Sequence, residues 1–215
     1  MYQKTHTGVE SRWVQLGSTG IFTDRGWNDE DSGYDKNNAR AVAEDELLEI
    51  LGRKGCVLNL AGLYGGERDP RNWVIRVAKT KAEVKGKLAV HLVHGRDVAR
   101  AIVATHEAFG NVGGKRWIIN DLHVYDWWDL ILSWGKFARE NAGAEVKRQA
   151  EEKEKEAGVG DEGDGGLQYE EWVVELMEEE GVRALPREVS GLGRVLDGRG
   201  FWAAVGSAPG EGRAN

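Results

Sequence analysis

The stretch KNNARAVAEDELLEILGRKGCVLNLAGLYGG, residues 36–66, decides the fold. Its first half sets Ala39, Ala43, Leu47, Ile50 and Leu51 at helical spacing, which predicts a helix over Lys36–Leu51 ended by Gly52 and Gly55. Its second half is a short apolar run, Cys56–Leu60, closed by Gly62-Leu63-Tyr64-Gly65-Gly66, which predicts a strand and a turn. Upstream, Trp13–Leu16 reads as a strand that breaks into Gly17-Ser18-Thr19-Gly20. Downstream, Asn72–Val84 reads as a helix, Ala89–Val93 as a strand and Val98–Phe109 as a helix capped by Asp97. Arg116–Ile119 reads as a strand, and a helix capped by Asp126 runs to the region of Asn141. This alternation predicts α/β architecture with a largely parallel, doubly wound sheet.

Beyond Asn141 the composition changes. Residues 145–156, EVKRQAEEKEKE, form a charged helix or arm, and residues 158–166, GVGDEGDGG, an acidic glycine-rich linker. Tyr169, Trp172, Val173, Leu176 and Met177 then mark an amphipathic helix. The expected organisation is a sheet domain over 1–141, arm and linker over 142–168, a helical segment over 169–202 and a frayed tail over 203–215.

A net charge of -7 argues against a nucleic-acid groove or an anionic membrane surface as partner. No apolar run approaches the roughly 18 residues of a membrane span, and Met1–Glu10 carries no apolar signal segment. Cys56 is the only cysteine, so an internal disulfide is impossible and a reducing, cytoplasmic setting is expected. Of the tryptophans, Trp127, Trp128 and Trp134 share one helical stretch and read as core packing.

Several candidate motifs carry no chemistry. Gly158-Val159-Gly160-Asp161-Glu162-Gly163 fits GxGxxG by letter, but it follows a charged run rather than a strand and carries two carboxylates that repel phosphate. His91 and His94 stand three apart on a strand, on opposite faces, and share no metal, so no metal site is expected. Ser18 lacks the GxSxG elbow of a hydrolase. Arg68, Asp69 and Arg71 suit either an anionic substrate or a solvated loop, and Cys56 reads as a small buried hydrophobe.

Four segments in order carry a family resemblance: GSTGIFT (17–23), the helix with RAVAE (40–44), VLNLAGLYGGERDP (57–70) and VHLVHGRDVARAIVATHE (90–107). Together they are similar to the extended and atypical short-chain dehydrogenase/reductase superfamily, the NAD-dependent epimerase/dehydratase-like proteins, with fungal members the nearest in flavour. The resemblance implies an NAD(P)-binding Rossmann-like sheet with a small helical substrate lobe. It implies Ser18 and Thr19 beside the nicotinamide, and Leu63, Tyr64 and Gly65 as the wall beyond the next strand. It puts Ser18, Lys36 and Arg40 at the family's catalytic positions, with NAD or NADP as cofactor of a full-length form.

Two departures accompany it. The family uses a tyrosine and a lysine four apart on one helix face, the lysine charge favouring the phenolate. Here Lys36 occupies the tyrosine position and Arg40 the lysine position, while Tyr34 is followed four residues later by Asn38. Two cations there favour an anion, such as a substrate carboxylate or cofactor phosphate. Second, a βαβ unit with the glycine loop takes roughly 30 residues, and twelve precede Trp13. The expectation is an incomplete sheet lacking its first βαβ unit, from a truncated chain or one completed by a partner or oligomer, with impaired catalysis. The alternative is a non-enzymatic binding protein on the same scaffold.

Overall fold

The computed structural model describes residues 11–154, 168–212 and 214. The glycine pattern at 158–163 lies outside them. The chain forms two compact units: the described residues of Met1–Gly66, His91–Val124 and Gly193–Asn215, and those of Glu67–Val90 and Tyr125–Leu192. The division therefore does not fall at residue 141, and the stretch 169–202 contributes to both units. The charged arm does not begin a separate segment at 142, because the preceding helix runs on through it to Glu154.

The first unit is α/β. Strands β1 (Trp13–Ser18), β3 (Gly55–Leu60) and β7 (Arg116–Ile119) form a parallel three-stranded sheet in the order β1-β3-β7. Gly17 lies opposite Asn59, and Asn59 opposite Ile118. The central strand is buried on both faces, so it reads as a continuous apolar run. On the outer edge of β1, Trp13 and Leu16 are exposed. A short strand β2 (Gly26–Asn28) pairs in parallel with β9 (Arg194–Leu196). Strands β4 (Gly62–Tyr64) and β6 (Leu92–His94) form a second parallel pair.

Helices cover both faces of the main sheet, as in doubly wound folds. On one face lies α1 (Ala39–Leu51), where Ala41 joins Ile21, Phe22, Ile118 and Leu196 in a small core. On the other lie α4 (Gly95–Glu107), α5 (Phe109–Val112) and α8 (Arg199–Ala204), which pack Val98, Ala101, Phe109, Phe201 and Trp202 against Cys56, Leu58, Trp117 and Ile119.

Three expectations need correction. Helix α1 starts at Ala39, not Lys36: Asn38 caps it by accepting the Arg40 N–H, and Asp35 and Asn37 form the turn before it. Asn and Asp side chains bind nearby backbone and favour caps and turns over helix interiors. Its buried face is also not the predicted one, because Ala39, Ala43 and Ile50 are exposed while Ala41 and Glu44 are buried. Finally, the strand expected over Ala89–Val93 divides at His91 into β5 (Ala89–Val90) and β6.

In the second unit, the helix expected over Asn72–Val84 is broken into α2 (Val74–Val77) and α3 (Lys81–Lys85). Thr80 restarts it by accepting the Glu83 N–H. Strand β5 pairs antiparallel with β8 (Tyr125–Asp126). Asp126 accepts the Trp128 N–H at the start of α6 (Trp127–Glu154), as predicted, and also pairs with Arg187 in the interior. Trp127, Trp128 and Trp134 are buried, and Tyr169, Val173 and Leu176 of α7 (Tyr169–Glu179) form its core face. Among the described residues no helix is long and apolar enough to cross a membrane.

Candidate functional site

In open parallel sheets, ligands bind beyond the carboxyl ends of the strands. Those ends here are Ser18 of β1, Leu60 of β3, Ile119 of β7, Tyr64 of β4 and His94 of β6. Ser18 and Thr19 make structural bonds there. The Ser18 hydroxyl accepts the Gly20 N–H and caps a short 3-10 turn. Thr19 is buried and its hydroxyl donates to the Leu60 carbonyl, while its own carbonyl accepts from Arg194.

The two longest motif segments meet in space. VLNLAGLYGG supplies β3 and β4, VHLVHGRD supplies β6 and the start of α4, and β4 pairs with β6 so that Tyr64 stands opposite His94. Their rings touch edge-on, with centroids 5.0 Å apart. Gly65, at φ +102, lets the imidazole lie against the turn, since a Cβ there would collide with the His94 ring. His94 Nδ1 accepts the Arg96 N–H across 3.2 Å and caps α4. An imidazole that accepts at Nδ1 carries its proton on Nε2. Asp97, expected as the cap, instead lies inside the first turn and is fully buried. Burial, with the negative charges of Asp121, Asp97 and Glu211, pushes the Tyr64 phenol up to about 12. Tyr64 therefore stays protonated and acts as a hydrogen-bond donor, not as a base.

Ser18, Lys36 and Arg40 do not converge. Gly17 faces α1, because a Cβ there would collide with the Glu44 carboxylate and the Asn59 amide. Successive strand residues point to opposite faces, so Ser18 faces away from α1, on the side where Val14 packs against Cys56 and Leu58. Lys36 lies in the turn before α1, and Arg40 is exposed in its first turn. The shared helix face assigned to the two cations is thus absent, because the Asn38 cap ends the turn between them.

What α1 brings to the sheet instead is a buried polar group that the sequence reading did not single out. Asn59 donates to Glu44 Oε1 across 2.8 Å and to the Ser18 carbonyl across 3.3 Å. Arg116 Nε lies 3.5 Å from Glu44 Oε2, and its Nη2 donates to Asp45 across 2.6 Å. The guanidinium covers the Tyr34 ring at 3.8 Å, and the Tyr34 hydroxyl donates to Asp45. Burial raises the Glu44 carboxyl above its ordinary range, against the Asn59 bond and the Arg116 charge. Burial acts on Asp45 too, but its bonds to Arg116 and Tyr34 outweigh it and hold that carboxyl low. An arginine opening the apolar strand RWII was the available signal. On the neighbouring strand, Cys56 is buried and its thiol is pushed up to about 12 by burial, as suits a packing residue. Among the described residues no group of three or more His, Cys, Asp or Glu side chains could hold a metal ion.

No family model matches the chain. No curated protein matches it either. Among solved structures it is similar to a protein of Methylobacillus flagellatus assigned as an NAD-dependent epimerase/dehydratase, at 15% identity and TM-score 0.49, covering 89% of this chain and 56% of that one. It is similar to dTDP-glucose 4,6-dehydratase from Bacillus anthracis in complex with NAD, at 12% identity and TM-score 0.48, covering 92% and 56%. It is also similar to yeast methylglyoxal/isovaleraldehyde reductase complexed with NADPH, at 14% identity and TM-score 0.43, covering 91% and 57%. The chain thus spans little more than half the length of each.

Proposed function

We propose that this chain works on the scaffold of the NAD(P)-binding epimerase/dehydratase-like proteins, as a ligand-binding member whose acid–base chemistry is impaired. The observation that carries the reading is the Tyr64–His94 pair. Two sequence segments that resemble family motifs, the first of them the turn near the nicotinamide, lie side by side at the carboxyl ends of parallel strands. Leu63, Tyr64 and Gly65 are half-buried there, as a site wall requires. Impairment is supported by the chemistry of the available groups. By the resemblance, Lys36 stands at the position of the family's tyrosine and Arg40 at that of its lysine, so no phenol is there to serve as the acid or base.

A pyrophosphate is held by a glycine loop that joins a strand to a helix N-terminus. Helix α4, which opens on Gly95 directly after β6, carries in its first turn the carboxylate of Asp97, which repels phosphate. The expected result is that the 215-residue chain binds neither NADH nor NADPH in the micromolar range, as read by nicotinamide fluorescence during titration. Saturation by either cofactor at micromolar concentration would overturn the impaired reading and favour a working dehydrogenase-type site.

A further inference from the structure

We propose that Gly210–Gly212 is a displaceable strap, seated in a receptor built by Tyr64, Asp97 and Arg100, that covers the turn after β4. The segment was expected to fray. Instead the chain closes α8 with the Ser207 N–H on the Trp202 carbonyl and returns to the start of α4. Asp97 is fully buried, and its nearest cation, Arg100 Nε, is 3.6 Å away. A buried carboxylate needs charge-assisted hydrogen bonds to offset its lost hydration. Two successive backbone amides supply them: Gly210 N donates to Oδ1 across 2.7 Å, and Glu211 N to Oδ2 across 3.2 Å.

The rest of the seat reads the same backbone. Tyr64 donates its hydroxyl to the Gly212 carbonyl across 3.2 Å. Arg96 lies 3.6 Å from the Glu211 carboxylate. At Gly210 a Cβ would meet only the Arg100 guanidinium, the far end of a half-exposed flexible side chain that can move aside, so glycine fits closely there without being required. The receptor therefore reads the Gly210–Gly212 backbone, which bends at Glu211, by two amides and one carbonyl, and adds a contact to one acidic side chain.

Its hold is modest. Gly210, Glu211 and Gly212 bury no apolar side chain, and Ala214 beyond them adds one methyl group. Hydrogen bonds without apolar burial open locally more easily than a packed core, and two glycines gain backbone freedom on release. Release would uncover the Tyr64 hydroxyl and both Asp97 oxygens together. That this gates ligand access rests on the reading of Tyr64 as a site wall; the seating of the strap does not.

The test uses the whole chain with Gly210→Pro, which removes the amide bonded at 2.7 Å and sets a ring against Arg100. Hydrogen exchange followed by mass spectrometry should speed up at least tenfold over residues 62–66 and 94–100 and stay unchanged over β3. A synthetic peptide of residues 207–213, SAPGEGR, should bind the Gly210→Pro chain at least tenfold more tightly than the parent, and Asp97→Asn in that background should abolish the gain. Unchanged exchange, or equal peptide binding to both chains, would refute the strap. Should the proline variant lose the fold, Tyr64→Phe removes one oxygen only, and exchange over 210–212 should still rise several-fold; no rise there refutes the strap. None of these readouts depends on cofactor, so failure of the strap and failure of the functional reading are separate results.

Discussion

On one face of the β1–β3–β7 sheet, Cys56, Leu58, Trp117 and Ile119 meet Phe109, Phe201 and Trp202. On the other face, Asn59, Arg116 and Ile118 meet a helix that presents Ala41 and Glu44. The apolar face is held by area and shape, which are non-directional. The polar face is held by a few bonds of fixed geometry, and it is incompletely satisfied: Glu44 Oε2, Asn59 Oδ1 and Arg116 Nε have no hydrogen-bond partner. Polar networks in low dielectric carry high stakes, since a buried polar group left unpaired costs an amount comparable to a lost apolar neighbour. The two faces should therefore differ less in how much a single change costs than in how that cost depends on pH.

The largest effects test this directly. Arg116→Met strands Glu44 beside Asn59 and should cost ~3–5 kcal/mol near neutral pH, the usual penalty for breaking a buried pair from one side. Leu58→Ala on the other face should cost ~2–5 kcal/mol, through lost transfer energy and the cavity left behind. Denaturant melts across pH separate them. The Glu44 carboxyl is raised in the fold, so protonation favours the native state, and its charged form works against folding as pH rises through the raised value. Without Arg116 that penalty grows. The Arg116→Met loss should shrink as pH falls toward the ordinary carboxylate range, while the Leu58→Ala loss stays constant. Parallel behaviour of the two would show that Glu44 and Arg116 are not coupled.

A second buried polar group sharpens the comparison, because it is fully satisfied. His91 Nε2 accepts the Leu196 N–H across 3.0 Å, and Nδ1 faces the His123 carbonyl across 3.1 Å. This fixes the neutral tautomer with its proton on Nδ1. Burial, with the charge of Arg194, lowers the imidazole to about 4. Its contribution to stability is complete above the unfolded value near 6.5 and is lost as pH falls toward 4, a loss on the order of 3 kcal/mol. His91→Gln should cost stability at pH 7 and flatten the acid slope between those values. An imidazole that titrates near 6.5 in the folded protein, followed by NMR, would contradict this.

The apolar face was legible in the sequence and the polar face was not. Cys56–Leu60 and Arg116–Ile119 declare themselves as short, mostly apolar runs, because parallel strands covered by helices on both faces bury nearly every residue. Helix α1 does not declare its face. Ala39, Ala41, Val42, Ala43, Leu47, Leu48, Ile50 and Leu51 lie all round it, so spacing alone cannot choose between the stripe through Ala39 and Ile50 and the one through Ala41 and Glu44. The residue that chooses is charged, and its partner Arg116 is far along the chain. The same gap hid the Gly210–Gly212 seat, which is made of backbone groups and a distant carboxylate and has no apolar pattern to read. Leu63, Tyr64 and Gly65 were assigned to a site wall by motif alone, whereas the placement of Lys36 and Arg40 assumed a helix start that Asn38 moves.

The smallest effect is the most specific to the polar face. Tyr34→Phe keeps the ring under Arg116 and removes only the hydroxyl that donates to Asp45 across 2.8 Å. Asp45 is partly exposed, with 42% of its side chain accessible, so solvent screens the bond. The expected loss is ~0.5–1 kcal/mol near neutral pH. Its sign with pH is opposite to that of Glu44. Against the opposing effect of burial, the bonds from Arg116 and Tyr34 lower the Asp45 carboxyl, so its contribution is present above the unfolded carboxylate range and disappears as pH falls through the folded value. The Tyr34→Phe penalty should therefore be measurable in urea melts at pH 7 and absent once Asp45 is protonated. A penalty equally large in acid would mean that the hydroxyl acts through packing around Ile21 and Phe22 and not through Asp45. The lowering of the Asp45 carboxyl would then rest on Arg116, whose bond and charge act on it independently of Tyr34.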